Sequence, residues 1–325
     1  MTARVLVTGA SGFVGRAVVA QLLHCGRPVT AALRGVVPAG AGDCASALRT
    51  VKVGELAPVT DWRFALGGVD AVVHCAARVH VMRETSADPL AEFRRVNVDG
   101  TLQLARQAEA AGVRRFVFIS SIGVNGAETF GTPFTADDVP VPHSAYAQSK
   151  HEAELGLLAL ARNGRLEVVI IRPPLIFGAG APGNFELLMR ALHHGMPLPF
   201  GAINNRRSLV TLSNLVSLID VCLDHPAGAN QVFLASNGVD MSTTELLHAV
   251  AAALGKRPRL FRVPAAVLKA VARLTGRAQL AQQLCGSLQV DILKTRTLLD
   301  WAPVTRLDQA LDEAARAFHA GRQST

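Results

Sequence analysis

Three side chains, Ser121, Tyr146 and Lys150, could together move a proton to or from a substrate oxygen. Tyr146 and Lys150 are four residues apart in a helical pattern, so both side chains should lie on one face of a helix. We expect a lysine ammonium there to favour the phenolate and lower the pKa of the tyrosine, which makes it an acid or base near neutral pH. Ser121 follows an apolar run that predicts a strand, and its hydroxyl could bind the same oxygen. The alternative interpretation is that the spacing marks an ordinary solvated helix face. The catalytic interpretation is favoured because Tyr146 is the only tyrosine in the chain.

A glycine-rich turn near the start of the chain predicts a site for the phosphates of a dinucleotide. Gly9, Gly12 and Gly15 follow an apolar run, and residues 16–25 then have apolar positions at helical intervals. Gly9 permits a tight turn, Gly12 lacks the Cβ that would hold a pyrophosphate away, and Gly15 lets the helix pack near the strand. The N–H groups that begin the helix would face the anion. An ordinary turn is the alternative explanation.

Alternating strand and helix patterns predict an α/β fold with a doubly wound parallel sheet of the Rossmann type. After residue 174 the alternation breaks down, and short helical patterns mix with brief strands such as residues 231–235. We therefore predict a dinucleotide-binding domain at 1–172 with a return segment near 205–235. Residues 173–325 would form mainly a smaller C-terminal α/β substrate lobe, and the crevice between the two is the expected site. The strand patterns lie at residues 28–33, 48–53, 69–75, 115–120 and 166–171, and long helical patterns lie at 89–111 and 145–162.

The composition excludes several classes of protein. The 325 residues are half apolar and have a net charge of +8, but no basic stripe is interleaved with aromatic residues, so nucleic-acid binding is not expected. Five cysteines without paired spacing predict neither disulfides nor a metal site, which favours a reducing, cytoplasmic location. No signal peptide or stable membrane insertion is expected. Residues 263–284 are amphipathic, and packing within the substrate lobe is favoured over lipid binding.

The motifs together resemble the extended short-chain dehydrogenase/reductase family, in its branch of sugar-nucleotide epimerases and reductases, over essentially the whole chain. This resemblance implies that Ser121, Tyr146 and Lys150 handle the proton while a nicotinamide takes or gives hydride, and that Lys150 also holds the nicotinamide ribose. Members of the family are often dimers, so a homodimer is expected. The matching segments are residues 8–15, 73–77 and 96–101, the pair Ser120 and Ser121, the pair Tyr146 and Lys150, and residues 172–174.

Arg34, at the end of the second predicted strand, bears on which cofactor binds. An acidic residue there would bind the ribose hydroxyls of NAD, whereas an arginine can pair with the 2′-phosphate of NADP. NADP is therefore favoured over NAD, with an ordinary surface arginine as the alternative. The resemblance implies cofactor contacts at Gly9, Ser11, Gly12, Phe13, Val14, Gly15, Arg34, Glu55, Leu56, Cys75, Ala76, Ala77, Asn97, Tyr146, Lys150 and Pro173.

The resemblance also implies a UDP-sugar substrate, bound by Ser121, Tyr146, Asn184, Phe200 and Arg207. An arginine suits bidentate contacts to a diphosphate. The alternatives are a surface position for Arg207, a helix cap for Asn184 and a core position for Phe200.

The favoured function is reduction of a UDP-4-keto-6-deoxy-N-acetylhexosamine to UDP-N-acetylquinovosamine for surface polysaccharide. A UDP-glucose or UDP-N-acetylglucosamine 4-epimerase is the first alternative, and a non-catalytic NAD(P)-sensing regulator is the second. A 4,6-dehydratase is disfavoured, because no Asp-Glu pair follows Ser121 to eliminate water.

Overall fold

Seven parallel strands form the main sheet of the protein, in the order β3-β2-β1-β4-β5-β6-β9. The computed structural model describes residues 3–35, 47–79 and 88–323. A second sheet of three strands has the order β10-β8-β7, with β8 parallel to β7 and antiparallel to β10. The strands are β1 Val5–Thr8, β2 Val29–Leu33, β3 Leu48–Lys52, β4 Ala71–His74, β5 Arg115–Ile119, β6 Glu167–Arg172, β7 Leu175–Phe177, β8 Arg207–Thr211, β9 Gln231–Leu234 and β10 Asp240–Met241.

Helices cover both faces of the main sheet, and the pattern predicted at 145–162 is observed as a helix over residues 145–163. Ser144 begins the helix that carries Tyr146 and Lys150, because its hydroxyl accepts a hydrogen bond from the amide of Ala147. The helices are α1 Phe13–His24, α2 Arg63–Leu66, α3 Pro89–Arg94, α4 Thr101–Ala110, α5 Ala145–Asn163, α6 Asn184–His193, α7 Leu212–Asp224, α8 Thr243–Ala253, α9 Ala265–Leu274, α10 Ala278–Cys285, α11 Leu293–Leu299 and α12 Leu307–Gln323.

The order of the strands confirms the predicted doubly wound sheet. Strands β1 and β5 are buried along their whole length, as expected for runs of apolar residues covered by helices on both faces. The strand order reverses between β1 and β4, so the loops that follow these two strands leave a crevice at the carboxyl edge of the sheet. Ligands of open α/β sheets bind at such a point.

The C-terminal part of the chain forms a smaller lobe with its own apolar core. This core joins buried residues of α6, α8 and α12, and β9 returns to the main sheet beside β6. The return of β9 lies within the predicted segment near 205–235. The division of the chain into two domains at residue 172 stays a prediction.

One predicted helix is interrupted. The pattern over residues 89–111 begins as expected at Asp88, whose carboxylate accepts from the amide of Ala91. A π-helical turn, Arg95–Gly100, then separates α3 from α4. At its end, a Cβ on Gly100 would lie 2.8 Å from Cγ of Leu56, so the helix comes very close to the loop after β3. The helix predicted over residues 89–111 is therefore present, and the π-helical turn within it is the feature that the sequence pattern did not predict.

The amphipathic segment 263–284 agrees with its prediction in part. It forms two helices, α9 and α10, which pack against each other around a turn at Gly276. Ala281 and Cys285 of α10 are buried as expected, but α9 has no buried residue. α9 therefore packs on α10, as predicted for the segment, but it leaves its apolar face exposed.

Among the residues that the structure describes, no helix has both the length and the apolar character needed to cross a bilayer. Cys25, Cys75, Cys222 and Cys285 are free thiols. Cys44 lies outside the described residues.

Candidate active site

The glycine-rich turn brings β1, β4 and α1 together. Gly9 has a φ of +64°, and a Cβ there would lie 2.9 Å from the amide nitrogen of Ala76. A Cβ on Gly15 would lie 2.2 Å from the carbonyl oxygen of Gly9, so only glycine lets α1 pack so close to the end of β1. The predicted roles of Gly9 and Gly15 in the turn agree with this geometry.

The N-terminus of α1 opens into a cleft of about 550 Å³ at the edge of the sheet. Gly12 precedes α1, no side chain caps the N-terminus, and its first turn holds no acidic residue. The N–H groups and the positive end of the helix dipole therefore suit a pyrophosphate, and the cleft fits a dinucleotide. The predicted residues that line it are Gly9, Ser11, Gly12, Arg34, Glu55, Leu56, Cys75, Ala76 and Ala77.

Other predicted cofactor residues do not line this cleft. The side chains of Phe13 and Val14 pack against two apolar cores, and Pro173 lines the neighbouring pocket. Asn97 is buried behind the cleft: its amide donates to the carbonyl of Arg78 at 3.0 Å, and its oxygen accepts from the Arg78 amide at 2.8 Å. Asn97 therefore holds the loop after β4 in place.

The cleft is also lined by residues that the sequence analysis did not predict. Thr8 lines it, and its hydroxyl is 2.7 Å from Nδ1 of His74 and accepts from the amide of Ala76 at 3.2 Å. Arg78 and Arg95 also line the cleft; the guanidinium of Arg78 lies 5.7 Å from the ring centroid of Phe93, and that of Arg95 forms an ion pair with Glu92. Arg78 lies four residues after β4, one of the two strands between which the strand order reverses. This position in the sequence could have indicated that Arg78 lines the cleft.

Ser121 and Tyr146 line a second pocket of about 360 Å³. The hydroxyl of Ser121 accepts from the amide of Gly123 at 3.1 Å, in a short 3₁₀ turn directly after β5. The ring of Tyr146 is half-buried and meets Phe93 edge to face at 6.1 Å between centroids. The structure therefore brings these two predicted catalytic side chains together.

Lys150 lies deeper than the pocket and is fully buried. Its Nζ lies 3.9 Å from the ring centroid of Phe118, a cation–π contact. Burial lowers the pKa of Lys150 to about 7, although the charges of Glu154 and Cys75 oppose this shift. Cys75, whose charge acts on Lys150, lines the cofactor cleft, and Tyr146, one helical turn before Lys150 on α5, lines the second pocket.

The electrostatics of Tyr146 correct the sequence analysis. Loss of water around its hydroxyl raises the pKa of Tyr146 to about 12. The predicted lowering by Lys150 is therefore wrong, because the four-residue spacing does not reveal that the phenol is desolvated.

A buried network beneath Lys150 joins β5, α5 and β6, and sequence reasoning missed it. The guanidinium of Arg172 donates from Nη2 to Oε2 of Glu154 at 2.6 Å and from Nη1 to Oδ1 of Asn125 at 2.9 Å. The hydroxyl of Ser120 also donates to Glu154. Glu154 lies one helical turn after Lys150 on α5. This spacing could have indicated from the sequence that Glu154 is buried beneath Lys150.

Two of the three remaining predicted substrate residues reach the same pocket as Tyr146. Phe200 and Arg207 line it, and Nη1 of Arg207 donates to the carbonyl of Gly286 at 3.1 Å. Burial lowers the pKa of Arg207, which the charge of Glu128 opposes. Asn184 begins α6, but its side chain lies outside the described residues. The pocket also contains residues that were not predicted, including His143, Gln279 and Gln283.

We expect the lowered pKa of Lys150 to make stability depend on pH. The ordinary pKa of a lysine is 10.5, so between about pH 7 and pH 10.5 Lys150 is protonated in the unfolded chain and neutral in the folded chain. The free energy of unfolding therefore rises with pH in this range. Below about pH 7 both states are protonated, and the cost of burying the charge is constant. Urea denaturation of wild type and Lys150→Met should therefore show that the wild type gains free energy of unfolding, relative to the variant, from pH 7 to 10.

The exposed Lys52→Met variant provides the baseline for that comparison. A difference between wild type and Lys150→Met that stays constant across this range would contradict the lowered pKa.

Comparisons with known proteins identify the family to which the chain is similar. A model described as the NAD dependent epimerase/dehydratase family matches residues 5–235. The chain is 44% identical to the UDP-glucose 4-epimerase of Vibrio cholerae over 98% of this chain and 96% of the relative. It is 33% identical to the UDP-glucose 4-epimerase of Mycolicibacterium smegmatis over 78% of this chain and 83% of the relative. The solved structure of MoeE5 in complex with UDP-glucose and NAD aligns with a TM-score of 0.77 and 27% identity, covering 99% of this chain and 100% of that one.

Proposed function

Because the chain belongs to the NAD-dependent epimerase/dehydratase family, we propose that it epimerises a UDP-hexose at C4. Membership confirms the resemblance drawn from the motifs and makes the chain a sugar-nucleotide enzyme rather than a non-catalytic sensor. The observation that carries the proposal is one pocket lined by Ser121, Tyr146 and Arg207, with Lys150 buried one helical turn beyond Tyr146 on α5. The full-length match to a UDP-glucose 4-epimerase supports this reaction over reduction.

In this proposal the side chains of the pocket move one proton and hold the sugar. A bound nicotinamide would take hydride from C4 and return it to the opposite face. The Tyr146 phenolate, the minor form at neutral pH, accepts the proton of the C4 hydroxyl, and the phenol later returns it. Ser121 orients the same oxygen, so each turnover restores the protonation state of both side chains.

Three further side chains would select the nucleotide. The guanidinium of Arg207 suits the diphosphate, because it is held at the pocket wall by the carbonyl of Gly286. Phe200 would cover the uracil ring. Asn184, at the start of α6, would add a contact to the diphosphate.

The proposal is tested by incubating the purified protein and NAD with UDP-glucose or UDP-N-acetylglucosamine and separating the products by chromatography. We expect the C4 isomer to accumulate to equilibrium with no net change in reduced cofactor. Absence of isomer from both sugars would contradict epimerisation.

A second candidate, the NADPH-dependent reductase, is favoured by two observations. Arg34 lines the cofactor cleft where a carboxylate would favour NAD, and it could pair with the 2′-phosphate of NADP. The pKa of Tyr146 near 12 keeps it a phenol at neutral pH, the form that donates to a 4-keto oxygen. If a UDP-4-keto sugar consumes one NADPH per product, and NADH is used poorly, this candidate replaces the epimerase. Preference for NAD would mean that Arg34 does not bind a phosphate.

A cytoplasmic location and a homodimer stay predictions.

A further inference from the structure

The positive charge of the chain is concentrated in one segment beside the sugar pocket. Residues 256–285 contain seven Lys or Arg and no Asp or Glu, in a chain whose net charge is +8. Most of these cations are exposed, and Arg262, Arg273 and Arg277 flank α9 or lie on it. A surface of this kind attracts polyanions.

The same segment exposes a stripe of apolar side chains. Val267, Ala270, Val271 and Leu274 are spaced three or four residues apart on α9, so they form one face of the helix. The exposed fractions are 49% for Val267, 54% for Val271 and 88% for Leu274. A surface helix of a soluble protein normally buries such a stripe against the core, but here the stripe faces away from the protein.

The opposite face of α9 fixes the helix to the protein. Leu268 and Ala272 are half-buried there, and Nζ of Lys269 lies 3.4 Å from Oε1 of Glu128. The exposed apolar stripe is therefore held outward by specific contacts.

The helix α10 connects this surface to the candidate active site. It packs against α9, and its residues Gln279, Gln283 and Leu284 line the pocket that contains Ser121 and Tyr146. The apolar stripe thus lies one helix away from the sugar pocket.

We propose that α9, with Arg262, Arg273 and Arg277, is a docking surface for an anionic phospholipid bilayer. Val267, Val271 and Leu274 enter the boundary between headgroups and acyl chains, and the arginines bind headgroup phosphates while their stems cover apolar surface. A nucleic acid fits this surface less well, because the exposed stripe of α9 is wholly aliphatic and Phe261, beside Arg262, is the single aromatic residue of residues 256–285, whereas stacking of successive bases needs several. Docking holds the sugar pocket at the membrane surface, and it does not depend on which reaction occurs at C4.

Sedimentation with lipid vesicles tests this surface on the full chain. We expect wild type to bind vesicles that contain phosphatidylglycerol and not vesicles of phosphatidylcholine alone, with binding that weakens as salt is added. The triple variant Val267→Ser, Val271→Ser, Leu274→Ser should lose affinity for the anionic vesicles by at least about tenfold, since it removes the apolar contacts.

A matched control makes the same kind of change elsewhere on the surface. Val139, Leu293 and Val304 are also exposed, and their replacement by serine should leave vesicle binding unchanged. Thermal unfolding of both triple variants near the wild-type midpoint shows that the fold is kept.

Three results would overturn the proposal. The first is absence of wild-type binding to anionic vesicles, and the second is an equal loss of binding in the control variant. The third is a wild-type dimer, measured by light scattering, that the α9 variant converts to a monomer, since a second copy of the chain would then cover the stripe. None of these results bears on epimerisation of UDP-sugars.

Discussion

The Tyr146→Phe variant should lose at least about a thousandfold in turnover while it binds NAD as wild type does. The change removes only the hydroxyl that moves the proton at C4. The phenylalanine ring keeps the edge-to-face contact with Phe93, so the pocket and α5 should keep their structure. Turnover is measured as formation of the C4 isomer, and NAD affinity is measured by calorimetry.

The Thr297→Val variant is the control for loss of a hydroxyl far from the site, since Thr297 is an exposed residue of α11. It should retain full turnover. Wild-type turnover in Tyr146→Phe would show that Tyr146 takes no part in the reaction. The nucleotide-binding cleft would then be the part of the proposed site that still stands. Loss of NAD binding together with turnover would mean that Tyr146 supports the cofactor site instead.

The Glu154→Ala variant should lose about 3–5 kcal/mol in free energy of unfolding. Glu154 and Arg172 are both buried, and removal of the carboxylate leaves the guanidinium charged without its ion-pair partner. The hydroxyl of Ser120 loses its acceptor as well. Urea denaturation at neutral pH measures the change.

The Glu152→Ala variant is the matched control, because Glu152 is on the same helix and forms an ion pair with Arg94 at the surface. Its loss should be within about 1 kcal/mol, as for other exposed pairs. The double variant Glu154→Leu, Arg172→Met should recover much of the stability, since it removes both buried charges. Equal losses in Glu154→Ala and Glu152→Ala would show that the buried pair does not stabilise the fold.

The doubly wound class of the main sheet could be predicted from the sequence. Strands such as β1 and β5 are short apolar runs, and their burial follows from composition and length alone. The turn at Gly9 and the cap at Ser144 are local features whose geometry depends on a few adjacent residues. Ser121 was placed directly after a predicted strand, and the carboxyl ends of parallel strands meet at the edge of a sheet where ligands bind.

The tertiary structure decided the properties that depend on burial and on partners distant in sequence. The spacing of Tyr146 and Lys150 predicted their shared helix, yet the pKa of the phenol moved opposite to the expected direction because the surrounding protein removes water. The ion pair of Glu154 and Arg172 joins residues 18 apart. Amphipathic patterning predicted that residues 263–284 pack within the lobe, but it did not reveal that Val267, Val271 and Leu274 of α9 stay exposed. Local sequence determines where elements begin and end, whereas solvation and charge depend on which other elements the fold places beside them.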